Sequence, residues 1–256
     1  MNLIKFFATI VFVSVFFNSC KKDKKTEEET PSQPTTGKLK LAFNNMYGSS
    51  ALILNTTDYI NNSDTFKVSM FNYYISNIKL TATDNSVYNE TESYHLVKAN
   101  VANSLSFDLN EVPIKDYKSI SFVIGVDSLR NVSGSQTGAL DPANGHFWTW
   151  SSGYIMAKLE GTSPQSSDPA KKVIFHIGGF KGIYNALKTV TLNFPTSAVV
   201  TETKIPQVNF KTDLKEWFSP NAINFSTIYS VQTLGATSKS IADNYANMFS
   251  VTSVVN

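Results

Sequence analysis

The feature that most limits the possible folds is a two-residue period of apolar side chains, which recurs in short segments along the chain. The clearest examples are Leu39, Leu41 and Phe43; Ile120, Phe122, Ile124 and Val126; Val173, Phe175 and Ile177; and Val190, Leu192 and Phe194. Successive side chains of a strand point to opposite faces, so this period predicts strands with one buried face. Clusters of Gly, Pro, Asn and Asp between the segments are typical of turns. We therefore predict an all-β fold, a β-sandwich.

The segment Thr65–Ala82 changes the face on which its apolar residues lie. Phe66, Val68 and Met70 share one phase, Phe71, Tyr73 and Ile75 follow the other, and Ile78 and Leu80 return to the first. A strand that changes its inward face needs a bulge or a short helical turn at the switch. We expect such an irregularity here.

Helical spacing is found only near the C-terminus. Asp213–Phe218 is long enough for one or two turns. Ile241, Tyr245 and Met248 are four and three residues apart, and Ser240 precedes them as a candidate N-cap. The complete fold prediction is a β-sandwich with one or two short helices near the C-terminus.

The first residues have the pattern of an export signal. Lys5 precedes an apolar run of about a dozen residues, Phe6–Phe17, which is shorter than the roughly 20 residues that a spanning helix needs. We predict a signal peptide over residues 1–19. Ser19 and Cys20 resemble the lipobox of bacterial lipoproteins, which predicts lipidation of Cys20 and a lipid anchor in the cell envelope, most simply at the outer membrane. The alternative is a plain signal peptide with a free thiol.

Cys20 is the sole cysteine, so the chain can form neither an intramolecular disulfide nor a thiolate metal cluster. Residues 20–38 are mostly charged or small and polar, which predicts a disordered tether after the lipidated cysteine. The rest, 39–256, has no internal repeat and reads as one domain. Its net charge of +2 is spread along the chain and predicts no nucleic-acid partner.

Familiar catalytic motifs are absent from the sequence. It contains no G-x-S-x-G for a nucleophilic serine, no phosphate-binding glycine motif followed by a βαβ pattern, and no H-E-x-x-H zinc motif. We therefore predict that the protein is not an enzyme.

The stretch Asn144–Tyr154, NGHFWTWSSGY, concentrates rare residues. It contains one of the three histidines and two of the three tryptophans. If it is extended, His146, Trp148 and Trp150 lie on one face. Two interpretations are open: an aromatic core with the imidazole at its rim, or a binding site with an aromatic wall.

Several stretches carry a family resemblance in a constant order. They are FNYYISNIKL (71–80), SYHLVKA (93–99), GVDSLRN (125–131), GALDPANGHFWTWSSGYIMAKLEGTSP (138–164), FHIGG (175–179) and IADNYANMF (241–249). Together they resemble the MbnP family, a copper-associated group of extracytoplasmic proteins that includes lipoproteins of Bacteroidetes.

The resemblance implies a β-sandwich that binds one copper ion through two histidines and a kynurenine. The kynurenine is made from a tryptophan by a di-haem peroxidase-like partner protein, so the resemblance also implies such a partner. On the matching positions, His176 is one copper ligand, and Trp148 or Trp150 is the oxidised indole. Imidazole suits copper, and kynurenine offers an aryl amine that indole lacks.

The chain departs from the family pattern at Ser76, which stands where a second histidine is expected. Either His146 replaces that ligand, or His95 approaches from another strand. We therefore predict copper binding or handling without catalysis, with His176, His146 and His95 as candidate ligands. The alternative is a metal-free β-sandwich that binds a carbohydrate or a protein partner through Trp148, Trp150 and Tyr154.

Overall fold

Two β-sheets packed face to face form the body of the protein, as the sequence predicts. The computed structural model describes residues 35–134, 136–149 and 151–256. The strands are β1 (Thr36–Tyr47), β2 (Ser50–Ala51), β3 (Tyr59–Asn61), β4 (Asp64–Ala82), β5 (Val87–Asn89), β6 (Tyr94–Lys98), β7 (Ser106–Pro113), β8 (Asp116–Ile124), β9 (Phe147–Thr149), β10 (Gly153–Thr162), β11 (Lys172–Gly178), β12 (Lys188–Val199), β13 (Gln207–Asp213), β14 (Ser230–Val231) and β15 (Phe249–Val255).

The smaller sheet is built around β1, which pairs in parallel with β13 and antiparallel with β2 and β7. Strand β15 extends it on the far side of β13. The larger sheet has the order β12-β8-β4-β10-β11-β14, with β3, β5 and β6 added along β4 and β9 along β10. Because β4 is its longest strand, residues from distant parts of the sequence meet along it.

The main core fills the space between the sheets. Phe43 of the smaller sheet meets Tyr73 of the larger one with ring centroids 6.3 Å apart, and Phe122 meets Phe210 at 6.1 Å. A second apolar cluster lies on the opposite, outer face of the larger sheet and contains Tyr74, Val126, Leu140, Tyr154, Met156 and Phe180. The larger sheet is therefore buried on both faces at this end, so side chains on its outer face can also be buried.

The predicted phase change in β4 is confirmed. Pairing with β10 shifts register between Val68 and Met70, so the inward face passes from Val68 to Phe71. Met70 itself is half-buried and belongs to the outer face, not to the inward set that the sequence suggested. A second shift, against β8, lies at Asn77, whose φ is 53°. Between the two bulges, the alternate residues on the outer face of β4 are Asn72, Tyr74 and Ser76.

Two helices and several 3₁₀ turns complete the described part. The helix α1 (Ser128–Asn131) is capped by Asp127, and α2 (Ala236–Tyr245) lies near the C-terminus. The predicted turn appears as a 3₁₀ helix at Leu214–Phe218. The prediction of Ser240 as an N-cap is wrong, because α2 begins one turn earlier.

The earlier start of α2 has a physical reason in its contact with β11. The hydroxyl of Ser238 donates to the carbonyl of Gly178 at 3.0 Å and accepts from its N–H at 3.3 Å. This pair of hydrogen bonds fixes the first turn to the sheet. Ile241 and Tyr245 are buried, as their spacing predicts.

The first strand begins at Thr36, so Thr36–Lys38 belong to the sheet and not to the tether that we predicted. The signal peptide, Cys20 and most of the tether lie outside the described residues. Within the residues that are described, we find no helix with the length and apolarity to cross a membrane.

Candidate metal site

A row of polar side chains crosses the outer face of the larger sheet. Lys98 of β6 is directly opposite Asn72 of β4. Asn72 is in turn opposite Lys158 of β10, which is opposite His176 of β11. Opposed residues have β-carbons about 4.5–5.5 Å apart, so these four side chains are neighbours. We call Lys98, Asn72, Lys158 and His176 the polar row.

The loop Asn144–His146, which we call the covering loop, lies over the polar row. The Lys98 ammonium donates to Oδ1 of Asn144 at 2.9 Å, and that of Lys158 donates to the carbonyl of Gly145 at 2.5 Å. Gly145 has a φ of 73°, in the left-handed region that favours glycine, and turns the chain so that its carbonyl meets Lys158. Both lysines therefore hold the loop that carries His146.

His146 is buried, with 2% of its surface exposed. Its Nδ1 is 3.2 Å from the carbonyl of Ile155, which can only accept, so Nδ1 donates and Nε2 carries the lone pair. The amide Nδ2 of Asn72 lies 3.4 Å from that Nε2, a long hydrogen bond. Burial lowers the pKa of His146 to about 3, and the charge of Lys158 adds to this shift. The imidazole is therefore neutral at physiological pH, in one tautomer.

His176 is held by a carboxylate. Its Nε2 is 2.7 Å from Oε1 of Glu160, so Nε2 donates and Nδ1 is the unprotonated nitrogen of the neutral ring. Burial lowers the pKa of His176, and the hydrogen bond to Glu160 opposes that shift. Lys158, the cross-strand neighbour of His176, also donates to the carbonyl of Gly145, the residue before His146. The structure thus brings His146 and His176 together.

Trp148 packs on β11 beside His176. A β-carbon at Gly178 would lie only 2.4 Å from Cζ3 of the Trp148 indole. The indole therefore occupies the space where a side chain would be, two residues from His176 on the same face of the strand. This packing explains the spacing of His176 and Gly178 within FHIGG: His176 contributes a side chain to the outer face, and Gly178, which has none, leaves room for the Trp148 indole. Trp150 lies outside the described residues.

His95 does not join this group. Its ring stacks on Phe107 with centroids 3.6 Å apart and 4° between the planes, and Nε2 is 2.9 Å from Glu90 Oε2. It shares a face of β6 with Val97, which lies in the main core between the sheets. As a candidate ligand beside His176, His95 is on the wrong face of the sheet.

Two further positions that the sequence singled out, Ser76 and Tyr154, are used in packing. The Ser76 hydroxyl is buried and donates to the carbonyl of Gly125 at 2.7 Å. Tyr154 is 1% exposed, and its hydroxyl donates to the carbonyl of Leu140 at 2.6 Å. The predicted stacking of Tyr154 on a sugar ring or a partner is therefore wrong, because the ring belongs to the second apolar cluster.

Comparison with known proteins decides the family. The family model of MbnP matches residues 36–235. The chain belongs to the MbnP family. A solved structure, MbnP from Methylosinus trichosporium, superposes with a TM-score of 0.55 at 12% identity, covering 79% of this chain and 83% of that one. No curated protein sequence matches the chain. The structural match supports the sandwich fold, and the resemblance to MbnP inferred from sequence motifs is confirmed.

In this MbnP-family chain, the residues at the site fit a metal ion with nitrogen ligands. Each imidazole donates its outer N–H, one to a carbonyl and one to a carboxylate, as ligating histidines usually do. Oδ1 of Asn72 is buried and without a hydrogen-bond partner in the described part of the chain, and Nδ2 of the same amide lies 3.4 Å from Nε2 of His146. Among the described residues, no three His, Cys, Asp or Glu side chains are grouped to hold a metal ion. The imidazole pair would therefore have to be completed by a different donor.

Sequence reasoning missed three members of the candidate site: Asn72, Lys158 and Glu160. Their signal was a polar residue that interrupts a run of apolar residues. Lys158 follows Ala157 in an otherwise buried run, and Asn72 lies between two aromatic residues of β4. Such residues look like ordinary solvent-facing positions until the covering loop is placed over them.

Proposed function

We propose that this protein binds a copper ion through Nε2 of His146 and Nδ1 of His176 and acts in copper handling without catalysis. The observation that carries the proposal is the state of the two rings. Both are neutral in the folded protein, and each is fixed in one tautomer by a hydrogen bond from its outer nitrogen. A neutral, oriented imidazole is a good ligand for copper. Bound copper would supply a single metal ion for storage or transfer.

Trp148 supplies the aromatic wall in this proposal. The indole lies over Gly178, on the same face of β11 as His176. Its position makes Trp148 a candidate for the oxidation to kynurenine that the family resemblance implies. The same resemblance makes a di-haem peroxidase-like protein the proposed partner. Oxidation would place an aryl amine near the imidazoles and provide the third donor that the described side chains lack.

His146 takes the place of the histidine that Ser76 no longer supplies, but from a different position. Ser76 is four residues along β4 from Asn72, which corresponds to about 13 Å of strand. The ligand set is therefore rebuilt around the covering loop and does not restore the side chain lost at Ser76.

We also propose that Cys20 is lipidated and anchors the protein in the cell envelope, at the outer membrane. The lipobox-like sequence and the polar residues after it support this placement. Intact mass spectrometry of protein from its native host would detect the lipid on Cys20, and peptide mapping would detect kynurenine at Trp148. An unmodified Cys20 in the mature protein would contradict the anchor.

Copper titration with metal analysis tests the proposed function. We would use a Cys20→Ser background, because the thiol is itself a copper ligand. The expected stoichiometry is one copper per chain, with at least a tenfold loss of affinity, about 1.4 kcal/mol, in His146→Ala and in His176→Ala. His95→Ala is the matched control and should bind copper as the parent does. A parent protein that retains no copper would overturn the proposal.

A further inference from the structure

Lys158 occupies the centre of the polar row and is almost buried, with 9% of its surface exposed. It is the direct cross-strand neighbour of both Asn72 and His176. Its ammonium is fixed by the hydrogen bond to the carbonyl of Gly145, the residue before His146. A positive charge is thus held beside both proposed copper ligands.

The surrounding charges do not neutralise this ammonium completely. Lys98, the other lysine of the polar row, adds a second positive charge at the edge of the covering loop. Glu160 is the carboxylate at the site, and its Oε1 is engaged by His176. Two ammonium groups against one carboxylate leave the surroundings of the imidazoles with net positive charge.

A pair of imidazoles alone does not select copper in its lower oxidation state. Imidazole also binds zinc, nickel and divalent copper, so selectivity must come from geometry or charge. The repulsion between a fixed ammonium and a metal ion is proportional to the charge of the ion. A divalent ion therefore meets twice the repulsion that a monovalent ion meets at the same place.

We propose that Lys158 makes the imidazole site selective for a monovalent metal ion, Cu(I), over divalent ions, by holding a fixed positive charge next to His146 and His176. This inference rests on the proposed copper site. Lys158 is a specificity-determining residue in this account and not a ligand. Because the repulsive free energy doubles with ion charge, removing the ammonium should multiply the affinity for a divalent ion by the square of the factor for a monovalent ion.

The test compares Cu(I) and Zn(II) affinities of the same protein, by competition with chromophoric chelators, with reductant and without oxygen for Cu(I). In the Cys20→Ser background, Lys158→Gln keeps an N–H donor for Gly145 and removes the charge. We expect affinity to rise on the order of tenfold for Zn(II) and about threefold for Cu(I). Lys158→Arg keeps the charge and should retain the selectivity of the parent.

Lys172→Gln is the matched control. Lys172 is exposed, lies on the same strand and face as His176 four residues away, and its charge is screened by solvent. It should leave both affinities unchanged, and Lys98→Gln should give a smaller change of the same sign as Lys158→Gln.

The outcomes separate the two proposals. A parent that binds no Cu(I) overturns the copper site itself. A parent that binds Cu(I) and Zn(II) equally well overturns only the selectivity. If Lys158→Gln changes the Cu(I) and Zn(II) affinities by equal factors, or changes neither, the selectivity is also overturned. Loss of Cu(I) binding in that variant would identify the amine as a ligand and overturn its role as a charge. Circular dichroism of each variant, with the Arg variant as reference, shows that the compared proteins are folded.

Discussion

The larger sheet contains two histidine–glutamate pairs with similar hydrogen bonds and different surroundings. His95 Nε2 is 2.9 Å from Glu90, and His176 Nε2 is 2.7 Å from Glu160. The ring of His95 is covered by Phe107. The ring of His176 lies beside the almost buried Lys158, and two residues further along its face the Trp148 indole covers Gly178. An oriented histidine is therefore common to both places, and only the second lies in the polar row under the covering loop.

The residues two positions further along each strand sharpen this difference. After His95 the same face continues with Val97, which is completely buried in the main core. After His176 it continues with Gly178, where an indole takes the place of a side chain. The sheet thus uses one pair for packing between the layers and leaves the other in the polar row on its outer face.

The largest expected effects concern side-chain size at these two positions. Gly178→Ala forces the Trp148 indole out of its place and should lower the free energy of unfolding by about 1–3 kcal/mol. Val97→Ala should lower it by about 2 kcal/mol for the opposite reason, because it leaves a cavity. Chemical denaturation measures both. Gly235→Ala is the control, since a β-carbon there meets nothing within 4 Å. A Gly178→Ala protein as stable as the parent would contradict the close packing of the Trp148 indole on Gly178.

The second expected effect distinguishes the carboxylate of Glu160 from that of Glu90. Glu160→Gln weakens the orientation of His176 and should reduce copper affinity about 10- to 100-fold, as loss of such a supporting hydrogen bond does at other metal sites. Glu90→Gln changes the other pair in the same way and should leave copper affinity unchanged. Copper titration of both variants measures the contrast. Equal losses would show that the two pairs are equivalent in function.

The third effect is a dependence of stability on pH that comes from His146. Its pKa is about 3 in the folded protein, against an ordinary value of 6.5 for a solvated histidine of the unfolded chain. As pH falls below 6.5, the unfolded chain binds a proton that the folded chain refuses. The free energy of unfolding should therefore decrease by up to about 1.4 kcal/mol per pH unit for this group.

Urea denaturation between about pH 6 and about pH 4 measures this slope. His146→Asn retains an N–H that can reach the carbonyl of Ile155 and removes the titrating ring, so its stability should fall less steeply with acid. The titrating carboxylates contribute equally to both proteins, so their effects cancel when the two slopes are subtracted. Identical slopes would contradict the burial of a neutral His146.

The smallest effect concerns the stack on His95. Phe107→Leu should cost about 0.5–1.5 kcal/mol of stability, because the parallel ring contact is lost. Copper affinity should not change. A double-mutant cycle with His95→Leu isolates the ring contact, and a coupling near zero would show that the stack contributes nothing to stability.

The strands were predictable because their signal is local. The two-residue period identified β1, β8, β11 and β12, and the phase change located the first bulge of β4. The beginning of α2 was missed because the hydrogen bonds of Ser238 reach a strand sixty residues away. A partner at that distance leaves no mark in the local sequence.

The candidate site was predictable only in part, for a related reason. His146, His176 and Trp148 were found because they are rare residue types in recognisable motifs. Asn72 and Lys158 are ordinary polar residues, and their importance comes from cross-strand register and from the loop above them. Whether His95 or His146 would meet His176 depended on which face of the sheet each ring occupies. That face follows from the pairing of β6 with β4, which the sequence did not specify.

Each of the three successive residues of the covering loop contacts a different member of the polar row, which restricts how the length of this loop can vary. Surface loops normally accept insertions and deletions with little penalty. Here, adding or deleting a single residue between Asn144 and Trp148 would displace the ring of His146, the carbonyl held by Lys158 and the indole over Gly178 together. Descendants of this sequence should therefore tolerate changes of residue type in this stretch more readily than changes of its length.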